Sequence, residues 1–505
     1  MMQKTSLSQR QGLGALILTA IVFLGMLVFL KLVTGWGAAR LADASVGQGG
    51  MQTAILANGT TSSTVFLPVA MRNFPPIPPV FGVEINRGKV DATVSRADEA
   101  GVWWVRYNGV LWSEVETVHG VRDWTKLASV ENELQALAEQ GLTPMVIVRG
   151  TPTWAQKVPG SYCGPIEEDA LDDFASFMKD VVERYSIEPY KVKYWELWNE
   201  PDANYSLPPA SPFGCWGDEN DDYYGGEYYA EMLKHVYPAI KQADPTAQVM
   251  LGGLLMWCDS DDPAPAPEIG DCPSAKFLEG ILRNDGGAFF DIMAYHAYPY
   301  WVPAPGNTDW DLNQIHWDHR GGVLLGKLDF IQDVFDQYSV SKPIIMNEGG
   351  LMCYSDDNDN PDCLSDDLKS AQANYVVRLY ARTWANDIIG STWYTLNGPG
   401  WRQGGLLDGN QDPRPAYNTF RFMAQLLEGA SYLGQLSSGS LEGYVFYNES
   451  AHGEYRVYWT NDGSTVPLSL PAGTSAVYDK FGQDITPGGG TISVDFEPIF
   501  IETAP

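Results

Sequence analysis

Residues 191–201 read KVKYWELWNEP: an apolar and aromatic run that ends on the polar pair Asn-Glu and a proline. The run predicts a buried β-strand over residues 191–199, and Pro201 closes it because proline cannot donate a hydrogen bond to a sheet. Glu200 therefore comes at the carboxyl end of the strand, framed by two tryptophans. A carboxyl group in such surroundings loses hydration, which raises its pKa.

Seven further stretches have the pattern of short, buried strands. They cover residues 81–86, 103–109, 143–150, 247–253, 289–298, 342–349 and 390–397. Helical spacing of apolar residues separates most of them, as in residues 169–185. Strands that alternate with helices over residues 81–430 predict an α/β fold, the (β/α)8 TIM barrel. A doubly wound open sheet is the alternative, although no glycine-rich nucleotide-binding motif supports it.

The helical patterns stop after about residue 436, and short strands with Gly/Asn turns follow. These strands cover residues 444–449, 455–460, 466–470, 476–482, 491–496 and 498–502. They predict a small antiparallel, β-sandwich-like domain over residues 437–505. Such a domain would be either a buttress for the barrel or a sugar-binding module.

The N-terminus predicts export. Residues 12–34 begin with an uncharged run long enough to span a bilayer. Basic residues precede this run, which places residues 1–11 in the cytoplasm and the remainder outside the cell. We expect a transmembrane signal anchor there, followed by a Pro/Gly/Ser-rich tether over residues 35–80. Secretion after cleavage near Ala44 is the alternative.

The composition limits the partners. The formal net charge is −31, from 63 acidic and 32 basic side chains. Nucleic acid is excluded because its binding needs a basic surface, and the N-terminal helix is the only membrane contact we expect. The 17 Trp, 26 Tyr and 19 Phe residues suit a carbohydrate partner, because aromatic rings stack on the apolar faces of sugars. Nothing in the sequence indicates an oligomeric state.

Six cysteines in an exported chain predict disulfides, with six buried free thiols as the alternative. Proximity along the chain favours the pairs Cys258 with Cys272 and Cys353 with Cys363, which leaves Cys163 with Cys215. No CxxC motif occurs, so zinc or redox chemistry has little support.

The seventh strand also delivers a carboxylate, since residues 342–350 read KPIIMNEGG. Side chains that carry out chemistry in TIM barrels lie at the carboxyl ends of the strands, so Glu200 and Glu348 should share one mouth. Two carboxylates on different strands suit glycoside hydrolysis: one protonates the leaving oxygen, and the other attacks the anomeric carbon.

The order of strand ends resembles clan A of the glycoside hydrolases, whose catalytic glutamates lie on strands four and seven. Residues 81–430 with a trailing β domain are most similar to family 39, with family 5 as the alternative. The resemblance implies a retaining glycosidase, β-xylosidase-like or endo-glycanase-like, with Glu200 as acid/base and Glu348 as nucleophile. It implies that Asn199 hydrogen-bonds the sugar 2-hydroxyl. Asn347 stands where many relatives have Thr, which blurs the family.

Other positions follow from the same resemblance. Arg106 would lie near Glu348 and keep it ionised, unless it is a structural partner of a carboxylate such as Glu196. Tyr298 would donate a hydrogen bond to the nucleophile. His296 would contact sugar or a catalytic carboxylate, although a lone histidine is as often structural.

Two tryptophans are candidate cleft residues. Trp393 on strand eight matches the usual sugar platform of the clan. Tyr394 has the opposite parity, so only one of these two side chains should face the site. Trp154 follows strand three and would line the cleft or pack in the core.

No cofactor or metal is expected. The acidic stretches 259–262 and 356–362 suggest calcium, but neither has the spacing of a helix–loop–helix site, and solvated loops are the better interpretation. A non-catalytic carbohydrate-binding surface protein on a glycosidase scaffold is the alternative function. A metal-dependent barrel hydrolase is a third hypothesis, for which the sequence offers no clustered His/Asp ligand set.

Overall fold

A computed structural model describes most of the chain. The described residues are 79–206, 214–262, 272–303, 309–313, 316–449 and 451–504, with the backbone of Thr53–Leu56 and Ser63–Phe66. Those two short strands pair antiparallel. The expected transmembrane helix at residues 12–34 lies outside the described residues, as do the N-terminal segment 1–11 and most of the tether. In the described part, no helix is both long enough and apolar enough to cross a membrane.

Strands and helices alternate from residue 81 to residue 426, as the sequence predicts. The strands are β1 (Phe81–Asn86), β2 (Trp104–Leu111), β3 (Thr143–Arg149), β4 (Tyr194–Leu197), β5 (Gln248–Leu251), β6 (Met293–Ala297), β7 (Ile344–Gly349) and β8 (Ser391–Trp393). The helices are α1 (Val90–Glu99), α2 (Ala128–Glu139), α3 (Leu171–Tyr185), α4 (Gly226–Ala243), α5 (Lys276–Arg283), α6 (Val323–Tyr338), α7 (Asp366–Ala385) and α8 (Pro415–Leu426).

The eight strands form one parallel sheet that curls into a nearly closed barrel. Each strand pairs with the next along the chain from β1 to β5 and from β6 to β8, and β8 pairs with β1. Single parallel bridges, Met250 to Ile292 and Leu254 to Tyr295, join β5 to β6. The (β/α)8 prediction is therefore confirmed, and the open doubly wound sheet is excluded.

The C-terminal region is antiparallel, as expected, with one strand more than the sequence predicts. The strands are β9 (Ala430–Gln435), β10 (Leu441–Asn448), β11 (Gly453–Thr460), β12 (Val466–Ser469), β13 (Thr474–Asp479), β14 (Thr491–Val494) and β15 (Ile499–Thr503). Five of them form a sheet in the order β9-β10-β11-β15-β13, and β12 pairs with β14. The additional strand, β9, follows α8 directly and lies between the predicted barrel, residues 81–430, and the predicted β domain, residues 437–505.

The six cysteines form the three expected disulfides: Cys163–Cys215, Cys258–Cys272 and Cys353–Cys363. The first joins the segments that follow β3 and β4. The other two close the loops that follow β5 and β7. All three therefore staple loops at the carboxyl-terminal face of the barrel.

Helix α7 fixes the β region to the barrel through buried charges. Arg382 donates to Glu442 of β10 at 2.9 and 2.8 Å, to Asp311 at 2.7 Å and to Asp309. One turn earlier, the guanidinium of Arg378 lies 4.0 Å from the ring centroid of Phe496. These contacts suit a buttress better than a module on a mobile linker.

We expect Arg382→Ala to lower the free energy of unfolding by about 3–5 kcal/mol, because it leaves buried carboxylates without their cation. The matched control is Arg421→Ala, whose partner Glu99 lies 2.6 Å away with both side chains exposed. This variant should lose less than about 1 kcal/mol. Calorimetric unfolding measures both, and equal losses would contradict the buried clamp.

Candidate active site

The barrel interior is layered, because alternate residues of each strand point inward. The lower layer is apolar and includes Trp104, Met145, Met250, Ala294 and Ile345. The next layer is polar: it contains Arg106 and His296, two residues beyond Trp104 and Ala294, together with Glu84 of β1 and Glu196 of β4, none more than 3% exposed. The candidate site therefore includes a layer of buried polar side chains, just below the carboxyl-terminal mouth of the barrel.

Arg106 of β2 is the centre of the polar layer. Its Nε and Nη2 donate to the two oxygens of Glu196 at 2.9 and 2.8 Å. Its Nη1 donates to Glu84 at 2.6 Å and to Oε2 of Glu348, and Nη2 also donates to the side-chain oxygen of Asn199. From the sequence we expect Arg106 to lie near Glu348 or to pair with Glu196, and in the structure it contacts both.

Glu348 of β7 is the carboxylate nearest the mouth in this group, with 12% of its side chain exposed. Arg106 donates to Oε2, and the hydroxyl of Tyr298 donates to Oε1. Both oxygens thus accept a hydrogen bond, which fixes the plane of the carboxylate.

Glu200 occupies a tight turn after β4. Trp198 and Glu200 have φ of 72° and 51°, and the Glu200 N–H donates to the carbonyl of Gly253 at 3.2 Å. The side chain is only 7% exposed. Burial raises the pKa of Glu200 well above its ordinary value, and the charges of Glu348 and Asp202 raise it further. Glu200 is therefore suited to hold a proton.

His296 of β6 lies between the two carboxyl groups. Its Nδ1 is 2.7 Å from Oε1 of Glu200, and its Nε2 is 3.8 Å from Oε2 of Glu348. Burial lowers the pKa of His296 well below its ordinary value, and the charges of Arg106 and Lys327 lower it further. A neutral imidazole can share one proton with Glu200 without adding charge to the site.

The acceptor atoms of Glu200, His296 and Glu348 all lie within 4.8 Å of one another. Such a set has the composition of a divalent-metal site. Both oxygens of Glu348, however, already accept hydrogen bonds, one of them from a guanidinium. An ion would have to compete with that buried positive charge, so the arrangement suits paired-carboxylate chemistry better.

Of the adjacent residues Trp393 and Tyr394, it is Tyr394 whose side chain points into the barrel, opposite to the expectation. Trp393 is fully buried; its indole donates to the carbonyl of Gly404 at 2.7 Å, and its ring lies 6.2 Å from Tyr375 of α7. Tyr394 has the inward parity, and its ring centroid lies 6.2 Å from that of Tyr298. The prediction of Trp393 as a sugar platform is therefore wrong, and Tyr394 faces the site.

Trp154 connects two loops instead of contacting the carboxylates. Its indole donates to the carbonyl of Glu116 at 2.9 Å, and its ring stacks on His119 at 4.3 Å. Trp112 packs against it edge-on at 5.3 Å. The side chain thus anchors the segment after β3 to the segment after β2.

Trp401 is an exposed aromatic residue that the sequence interpretation missed. It is 39% exposed, and its ring contacts Tyr298 at 5.7 Å and Tyr300 at 6.4 Å, both edge-on. The neighbouring Arg402 donates to the carbonyl of Cys353 at 3.2 Å, which ties this loop to the stapled loop after β7. The loop around Trp401 has no strand or helix periodicity, so nothing in the sequence pointed to it.

Two more buried charges were also missed. Glu84 interrupts the apolar run FGVEIN of β1, and a lone acid in a buried strand is the signal that could have revealed it. Lys327 of α6 donates to the carbonyls of Leu255 and His296 at 2.6 and 2.9 Å. Burial lowers the pKa of Lys327 to about 8.

Comparison with solved structures supports the fold. A family 39 glycoside hydrolase from Bacteroides cellulosilyticus WH2 superposes with a TM-score of 0.61 at 18% identity, covering 88% of this chain and 85% of that one. A GH30 endoxylanase from Clostridium papyrosolvens C71 gives 0.53 at 11% identity, with 85% and 97% covered. A conserved exported protein from Bacteroides fragilis gives 0.55 at 13% identity, with 85% and 98% covered.

The chain thus has the (β/α)8 fold of the clan A glycoside hydrolases, as the resemblance implies. No family model and no curated protein sequence matches it. At such low sequence identity, the superpositions establish the fold alone. The activity must be argued from the site itself.

Proposed function

We propose that this chain is a retaining glycoside hydrolase, which cleaves O-glycosidic bonds of a polysaccharide or oligosaccharide through a glycosyl-enzyme intermediate. One observation carries the proposal: an oxygen of Glu200 and an oxygen of Glu348 lie within 4.8 Å of each other. Retaining enzymes hold their carboxyl groups about 5–5.5 Å apart, whereas inverting enzymes need about 6.5–9.5 Å to admit a water.

Glu200 is the acid/base and Glu348 the nucleophile, because their surroundings differ. Glu200 is desolvated and donates its proton to the leaving oxygen. Glu348, aligned by Arg106 and Tyr298, forms a bond to the anomeric carbon as the glycosidic bond breaks. Asn199, which accepts a hydrogen bond from Arg106, hydrogen-bonds the sugar 2-hydroxyl in this proposal.

The second step reverses these roles. Once Glu348 is esterified, its negative charge disappears, and this charge is one of the causes that raise the pKa of Glu200. The pKa of Glu200 then falls, which suits a base that takes a proton from water. The water attacks the anomeric carbon, and the Glu348 carboxylate is restored.

We also propose that the enzyme acts outside the cell, anchored by the expected helix at residues 12–34 or secreted. Disulfides persist in oxidising compartments, and this chain has three. One of its structural neighbours is an exported protein.

The stereochemistry of the product tests the mechanism. With aryl glycosides and oligosaccharides as substrates, NMR should show that the first-formed sugar keeps the anomeric configuration of the substrate. Initial release of the opposite anomer would refute double displacement. Sugar binding without hydrolysis over a broad panel would favour the non-catalytic carbohydrate-binding protein instead.

Carboxamide variants test the two roles separately. Glu348→Gln should abolish turnover of every glycoside. Glu200→Gln should reduce kcat/KM about 10²–10⁴-fold for a poor leaving group and far less for an activated aryl group that departs without a proton, because hydrolysis of the ester does not enter kcat/KM. Glu183→Gln on α3, whose side chain is 52% exposed, is the control. Near wild-type turnover of a glycoside with a poor leaving group by either site variant, with an unchanged Tm, would refute the assignment.

Trp401 should bind a sugar ring beyond the cleavage point. We expect Trp401→Ala to raise KM for an oligosaccharide about threefold to tenfold, because one stacking contact is lost, and to leave KM for a small aryl glycoside unchanged. Trp103→Ala is the matched control: Trp103 is 36% exposed but lies at the amino-terminal end of β2. An equal effect of both variants would argue against a sugar contact at Trp401.

A further inference from the structure

Glu84 has no part in the reaction proposed above, yet it shares a donor with the proposed nucleophile. Nη1 of Arg106 donates to Oε2 of Glu84 at 2.6 Å and also to Oε2 of Glu348. The Glu84 side chain is only 4% exposed, so Glu84 acts on groups inside the barrel and does not contact the sugar.

The charges around Arg106 do not balance if every carboxyl group is ionised. One guanidinium contacts Glu84, Glu196 and Glu348, which would leave two negative charges uncompensated in a buried site. Burial of unpaired charge is costly, and such groups take up protons instead. The site therefore needs at least one proton on these three carboxyls.

The geometry indicates which carboxyl carries that proton. Glu196 faces Nε and Nη2 with both oxygens, the bidentate arrangement of an ionised pair. Glu348 must be ionised to attack carbon. Glu84 accepts a hydrogen bond on one oxygen, from Nη1 of Arg106, and Glu348 accepts a hydrogen bond from the same nitrogen.

We propose that Glu84 holds a proton in the resting enzyme and acts as a positioning residue, whose neutral carboxylic acid completes the acceptors of Arg106 without a second charge beside Glu348. This inference rests on the proposed role of Glu348 as nucleophile. Burial raises the pKa of Glu84 from 4.5 to about 8, and the charge of Glu348 is the next cause. The titratable groups that face Glu84 are Arg106, Glu348, Tyr298 and Tyr394.

The proton on Glu84 should follow the charge of the nucleophile. When Glu348 bonds to the anomeric carbon, the proton of Glu200 goes to the leaving oxygen, and the negative charge on Glu348 is lost. Arg106 then has one anion fewer, so the pKa of Glu84 falls, and at a pH between its two values the proton passes to bulk water. Hydrolysis of the ester restores the Glu348 carboxylate, and Glu84 takes a proton back.

Infrared difference spectra test this directly. In a Glu200→Gln background, which removes the other protonated carboxyl, comparison with Glu84→Gln/Glu200→Gln should reveal one protonated carboxyl band that titrates near pH 8. Trapping Glu348 with an activated 2-deoxy-2-fluoro glycoside should lower that midpoint by about one unit or more. A missing band at pH about 6, or a midpoint that does not move on trapping, would overturn the proposal.

Mass spectrometry separates the two proposals. Absence of an adduct on Glu348 would count against the proposed function, whereas the titration of the resting enzyme decides in either case whether Glu84 holds a proton.

Activity supplies a second readout. Glu84→Gln, a neutral isostere, should keep kcat/KM within about threefold near pH 6, and Glu84→Leu should lose more than about tenfold. Equal losses would mean that Glu84 is ionised in the resting enzyme.

Stability should follow the same titration. The folded-state pKa of Glu84 is raised above its unfolded value. The contribution of Glu84 to the free energy of unfolding is therefore fully present below pH 4.5 and is lost as the pH rises towards about 8. The wild type should therefore lose Tm relative to Glu84→Gln over this interval, measured by calorimetry. A constant difference across the interval would contradict a proton held by Glu84.

Discussion

A single buried guanidinium, that of Arg106, constrains the upper half of the barrel. Its planar fork reaches carboxylates on β1, β4 and β7, three strands that do not follow one another in sequence. A buried arginine without acceptors is strongly unfavourable, so strand register and site geometry are fixed by the same contacts. The apolar layer beneath it keeps water out, which strengthens every one of these interactions.

The same dry interior divides the carboxyl groups into two kinds. Glu348 and Glu196 face Arg106 with hydrogen bonds that suit an anion. Burial raises the pKa of Glu196, as it does those of Glu200 and Glu84, but the two hydrogen bonds from Arg106 oppose that shift for Glu196. Similar side chains thus differ in how readily they hold a proton because of their positions relative to one cation. His296, kept neutral by burial, links the two proposed catalytic residues without disturbing that division.

Much of the fold could be predicted from the sequence, because each strand carries its own local pattern. All eight barrel strands lie within or beside their predicted ranges, and all three disulfides pair as proximity suggested. The prediction failed at β8, where Trp393 and Tyr394 are adjacent aromatic residues. Either could have faced inward, and only the pairing of β8 with β1 and β7 sets the parity.

The sequence by itself determined the barrel, the β region and the delivery of Glu200 and Glu348 to a common mouth, since strand periodicity and the polar residues that end each strand are local properties. Tertiary structure alone decided that Glu84, Glu196 and Glu348 converge on Arg106, that Tyr394 and Trp401 border the site, and that Glu84 is desolvated beside the other carboxyl groups. Those features depend on distances between strands far apart in the chain, and burial and charge act through such distances rather than along the sequence.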